Sequence, residues 1–70
     1  MKKEKVKITT EFIKLEQLIK FSGITPTGGQ AKELVESGVC FVNGEKCLMR
    51  GKKMRAGDVL VVDDIEITVE

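Results

Sequence analysis

The run KCLMRGKKMRAGD, from Lys46 to Asp58, carries five cationic side chains (Lys46, Arg50, Lys52, Lys53 and Arg55) ahead of a single acid. Ammonium and guanidinium groups bind phosphate, and a planar guanidinium such as that of Arg50 or Arg55 does so with two parallel hydrogen bonds. The chain as a whole lacks this excess, with 12 basic and 11 acidic residues. Residues 46–55 hold five bases and no acid, whereas residues 56–70 hold five acids (Asp58, Asp63, Asp64, Glu66 and Glu70) and no base. Two surfaces of opposite sign are therefore expected, and only the positive one attracts a polyanion. A basic loop by itself is usually just solvated, so the run needs support from the rest of the chain.

Other reactive side chains point away from catalysis. The absence of His removes the ordinary general base near neutral pH and with it any Ser-His or Cys-His pair. The two cysteines, Cys40 and Cys47, fall short of the four ligands of a structural zinc site and read as small apolar core residues. They are cross-strand neighbours within disulfide range, but a cytosolic setting would keep them reduced. TPTGGQ (Thr25 to Gln30) is neither a dinucleotide fingerprint nor a Walker loop. Its Gly28, Gly29 and Gln30 amides at a helix start could hold one phosphate, although taken by themselves the glycines are somewhat better explained by a tight turn. No catalytic residue, metal, cofactor or small-molecule substrate is expected.

The elements that must position these residues are short. Seventy residues make one small domain, and a chain of this size buries only about 60% of its unfolded surface. With no Trp or Tyr, the core must come from Val, Ile, Leu and Met. The basic N-terminus is followed by no apolar run, so neither a signal peptide nor a membrane span is expected, and the location is cytoplasmic. Val6 to Thr9 alternates weakly as a strand. Leu15, Leu18, Ile19 and Ser22 share one face of a helix closed by Gly23, and Ala31, Leu34, Val35 and Gly38 repeat the spacing in a second helix beginning at Thr27 or Gly28.

Asn43-Gly44 between two apolar runs predicts a type I′ hairpin that sets Phe41 opposite Lys46 and turns Cys40 and Val42 inward. Phe41 is then partly exposed and offers a base-stacking platform beside Lys46. Cys47, Leu48 and Met54 are assigned to the fold, and a second hairpin turns at Asp63-Asp64. The predicted order is one strand, two helices and four short strands. Lys14, Lys20 and Lys32 lie on or beside the exposed helix faces, where the i, i+4 pairs Glu16–Lys20 and Lys32–Glu36 add only a few tenths of a kcal/mol.

The segments KLEQLIKFSGI, GGQAKELVESGVCFVNGE and GDVLVV together resemble the small RNA-binding domain called the S-four or alpha-L domain. The resemblance spans residues 12–62, and GGQAK with RGKKMRAGD is most similar to its short stand-alone YaaA/YbcJ-like members. It implies an α+β fold, the alpha-L RNA-binding motif, with two short N-terminal helices packed on a small, mainly antiparallel sheet. It also implies a basic face that binds structured RNA. Lys14 and Lys20 match frequently basic positions of the first helix. Thr27, Gly28, Ala31 and Lys32 fill a Ser-Arg-x-x-Ala-Arg pattern, with Gly28 standing where an Arg often meets phosphate.

The expectation is thus a single domain over residues 1–70 that binds RNA, ribosomal RNA foremost, without catalysis. Its candidate contacts are Lys14, Lys20, Gly28, Gly29, Gln30, Lys32, Arg50, Lys52, Lys53 and Arg55. The rival is a protein-interaction adaptor docking through Phe41 or the acidic C-terminal hairpin.

Overall fold

The aliphatic side chains dictate two layers, a helix pair and a sheet, each apolar on one side. A computed structural model describes residues 2–70. In chain order the elements are β1 (Lys2–Val6), β2 (Ile13–Lys14), α1 (Leu15–Phe21), α2 (Gly28–Glu36), β3 (Cys40–Val42), β4 (Glu45–Lys46), β5 (Lys53–Met54), β6 (Val59–Val62) and β7 (Ile65–Val69). Five strands form one sheet in the order β1-β7-β6-β3-β4, and β2 with β5 forms a separate two-stranded ladder. This is the α+β arrangement expected, but strands precede as well as follow the helices. The antiparallel character holds for β3, β4, β6 and β7, while β1 runs parallel to β7.

Both helices form where the spacing placed them. Leu15, Leu18 and Ile19 of α1 are fully buried, and Ala31 and Val35 of α2 join them. Ser22 and Leu34 are only half-buried. Thr27 starts α2, its hydroxyl accepting the Gln30 amide at 3.3 Å. Gly38, at φ +88°, lets the chain leave α2 in a conformation that a β-carbon would strain. Along the sheet Cys40, Val42, Leu60, Val62, Ile67 and Val69 alternate inward and join the helix residues in one cluster. Burying a Leu or Ile contributes about 1.5–3 kcal/mol, which these helices need because neither is long enough to stand alone.

The hairpin at Asn43-Gly44 has φ of 51° and 85°, as a type I′ turn requires, and sets Phe41 opposite Lys46 and Val42 opposite Glu45. The Cys47 amide continues the ladder to the Cys40 carbonyl at 2.9 Å, and both thiols are free. The second hairpin turns at Asp63-Asp64, joining Val62 to Ile65.

Three elements differ from expectation. The first strand covers Lys2–Val6 rather than Val6–Thr9, because its register is set by β7 rather than by its own weak alternation. It is also an edge, and its lysines discourage further strand pairing there. The basic run contains a strand of its own, β5, which pairs with a second unexpected strand, β2, and both are too short to show a period. Leu48 is 56% exposed instead of buried, while Met54 is fully buried as expected. No helix among the described residues is long and apolar enough to cross a membrane.

Candidate nucleic-acid interface

A helix begins with amide groups that have no partner inside it. In α1 the basic loop supplies the partners. The Leu15 amide donates to the Lys52 carbonyl at 2.8 Å and the Glu16 amide to the Arg50 carbonyl at 3.0 Å. The Lys14 amide makes a longer contact, 3.4 Å, to Gln17 Oε1. The β2–β5 ladder continues this attachment, pairing Ile13 with Met54 and Lys14 with Lys53. Alternation then turns Met54 into the core and Lys53 outward, so one buried side chain anchors the cationic segment.

The far end of the loop is fixed by a polar clamp. Asp58 Oδ2 accepts the Arg55 amide at 2.8 Å, and Oδ1 accepts Asn43 Nδ2 at 3.1 Å. Asn43 Oδ1 in turn accepts the Val59 amide at 2.9 Å. The VNG and GD segments are therefore halves of one clamp between the two hairpins. The Arg55 amide, then Asn43, hold the Asp58 carboxyl below its ordinary 3.8 by hydrogen-bonding the charged form, with Lys52 and Arg55 assisting.

Like charges are brought together here. Lys14 and Lys53 sit directly opposite on the exposed side of the ladder, a destabilising arrangement by itself. Among the described residues the ion pairs are Lys2–Glu4, Lys5–Glu70 and Arg50–Glu16. The cationic side-chain groups of Lys14, Lys20, Lys32, Lys52, Lys53 and Arg55 thus form no ion pair within 4.0 Å, although Asp58 bonds the Arg55 amide. Glu16 turns to Arg50 rather than Lys20, at 4.0 Å and partly exposed, which is worth little. The pair expected between Lys32 and Glu36 does not form either.

An aromatic ring gathers part of the cluster. Lys53 Nζ lies 4.9 Å from the centre of the Phe12 ring, and the Arg55 guanidinium carbon lies 5.9 Å from it. Phe12 and Lys20 share the wall of a groove at the side of α1. Lys14, Lys20, Lys53 and Arg55 therefore belong to one neighbourhood around α1 and Phe12. Lys52 lines a different hollow with Lys46, Leu48 and Met49. Lys32, Gly28, Gly29 and Gln30 lie on α2, exposed, with no hydrogen bond or ion pair joining them to the loop. The Gln30 amide is already engaged by Thr27, leaving the Gly28 and Gly29 amides as the open donors of that helix start. A β-carbon built at either glycine meets nothing within 4 Å, so packing does not demand glycine there.

Phe12 was not singled out by spacing because it lies in an irregular segment, outside any hydrophobic period. Its position two residues before Lys14 was the available signal. Among the described residues no group of three His, Cys, Asp or Glu side chains could hold a metal ion.

Comparison with known proteins agrees with this architecture. Residues 6–70 match the family described as the S4 domain. A Bacillus subtilis (strain 168) protein described as probable ribosome maturation protein RlbA is 34% identical over 58 residues, covering 83% of this chain and 82% of the relative. A basic loop seated on the first helix, the Asn43–Asp58 clamp and a family match over nearly the whole length lead to one assignment: the chain belongs to the S4 domain family.

Proposed function

We propose that the protein is a non-catalytic, cytoplasmic RNA-binding unit that recognises folded RNA, ribosomal RNA foremost, during ribosome assembly or translation. The observation that carries this is the cross-strand pair Lys14–Lys53, flanked by Arg55, with no ion pair to any of the three side chains. A fold that holds like charges together at its surface gains stability from a polyanion laid across them. The relative's description as a ribosome maturation protein favours ribosomal RNA over other RNAs.

In this mechanism Lys14, Lys20, Lys53 and Arg55 form the central phosphate contacts beside α1. Arg50 and Lys52 extend the contact along the loop, and Lys32 with the Gly28 and Gly29 amides adds a second, smaller one on α2. Gln30 contributes its side chain, since its amide serves Thr27. Such contacts fix position and orientation and carry little sequence information, so the shape of the RNA provides the selectivity.

The test is a titration of purified ribosomal RNA at several salt concentrations. Neutralising about five phosphates gives a slope of log K against log salt of about −3.5 to −4.5. Reversing three charges, Lys52→Glu, Lys53→Glu and Arg55→Glu, abolishes binding while the fold persists. Salt-independent affinity, or binding that survives the triple reversal, would falsify this assignment. A complex that instead resists RNase and contains one protein would point to docking through Phe41 or the acidic β6–β7 hairpin.

A further inference from the structure

Phe21 is the most exposed of the large apolar side chains, at 71%, although it ends a helix whose other apolar residues are fully buried. It lines two adjoining hollows, which also share Thr10 and Ile13. The larger hollow, about 520 Å³, is floored by Ile13 and walled by Phe12 and Phe21, with Thr10, Gln17 and Lys20 at its rim. No acidic residue lines it. The Phe12 wall carries Lys53 and Arg55.

Resting on the RNA-binding assignment above, we propose that this groove is a subsite for one unpaired nucleobase of the bound RNA. The base stacks against Phe21, and its flanking phosphates meet Lys20 on one side and Lys53 and Arg55 on the other. Polar groups for its edge are in place. The Thr10 hydroxyl donates to the Phe12 carbonyl at 2.8 Å, which leaves its oxygen free to accept. Gln17 uses only its carbonyl oxygen, in the long contact to the Lys14 amide, so its NH₂ group is free to donate. Charge complementarity selects the occupant: an apolar groove lined by Lys20 and no acid, with Lys53 and Arg55 against its Phe12 wall, suits a flat aromatic ring attached to phosphates. Phe41, the other exposed ring, is 38% exposed, sits in the sheet between Lys46 and Val61 and lines neither of these hollows.

The chain contains no Trp, so Phe21→Trp introduces a single fluorophore, and Phe41→Trp supplies the matched control. Purified ribosomal RNA is titrated into each variant while filter retention measures binding independently. Stacking quenches emission from Phe21→Trp and leaves Phe41→Trp unchanged. Phe21→Ala, exposed enough to fold normally, weakens retention about tenfold (about 1.4 kcal/mol) with the salt slope unaltered, because no charge is removed. RNA retained with Phe21→Trp unquenched and Phe21→Ala unweakened overturns the subsite and leaves RNA binding standing. Failure of the parent protein to retain any RNA overturns both.

Discussion

Asp58 accepts two hydrogen bonds through its two carboxylate oxygens, one from the amide of Arg55 and one from the side chain of Asn43. Losing them through Asp58→Ala should cost about 1–2 kcal/mol in urea denaturation, at the low end because solvent reaches the site. The pH dependence has a definite sign. A folded-state pKa below the unfolded 3.8 means the contribution is complete well above that value and is lost as pH falls through the folded one. The gap between parent and Asp58→Ala is therefore expected to narrow below about pH 4 and to be constant above about pH 6. The cysteines provide a second check at this scale. Burial, aided by Cys47 and Asp63, pushes the Cys40 thiol up to about 11, whereas Cys47 is only half-buried. A thiol reagent at pH 8 should label Cys47 in the native protein and Cys40 only after unfolding, as peptide mapping would reveal.

Strand β5 is only Lys53 and Met54, yet it decides where the basic loop lies. Its backbone pairs with β2, and the fully buried Met54 holds it down. Met54→Ala should destabilise the fold by about 2–5 kcal/mol, a large share of what a domain this small possesses. Lowered RNA affinity under conditions where the variant remains folded would show that anchoring the loop matters apart from its charge. The opposite partition is expected at Lys14. Replacing it with Gln relieves the repulsion with Lys53 without touching Phe12, and should stabilise the free protein by a few tenths of a kcal/mol. RNA affinity should fall at the same time. A variant that loses stability at low salt would mean that Lys14 has a compensating partner in solution.

Charge segregation is a property of the whole molecule. The basic loop lies against α1, while Asp63 and Asp64 occupy the exposed turn between β6 and β7. Near-neutral net charge therefore coexists with a positive face, and association with RNA should be fast and strongly dependent on ionic strength. Low concentrations of a polyanion such as heparin should raise the melting temperature of the parent more than that of the variant with Lys52, Lys53 and Arg55 reversed. Equal shifts for the two proteins would locate the polyanion site elsewhere.

Local chemistry determined much of this in advance. The spacing of Leu15, Leu18 and Ile19, and of Ala31 and Val35, specifies helices with a buried face, and Asn43-Gly44 specifies the type I′ turn and its register. These features are legible because each depends on neighbours a few residues away. Strand β1, the exposure of Leu48 and the ladder between β2 and β5 depend on partners distant in sequence, so no local period announces them. The same holds for the site. The cations are visible as a run, but their placement comes from the Lys52 and Arg50 carbonyls reaching the first amides of α1, and from Asn43 meeting Asp58. The sequence by itself determined that a positive surface exists and which helices flank it. Only tertiary structure decided that Lys14 faces Lys53 and that Phe12 gathers Lys53 and Arg55 beside an exposed Phe21, because backbone pairing between distant segments brings those side chains together.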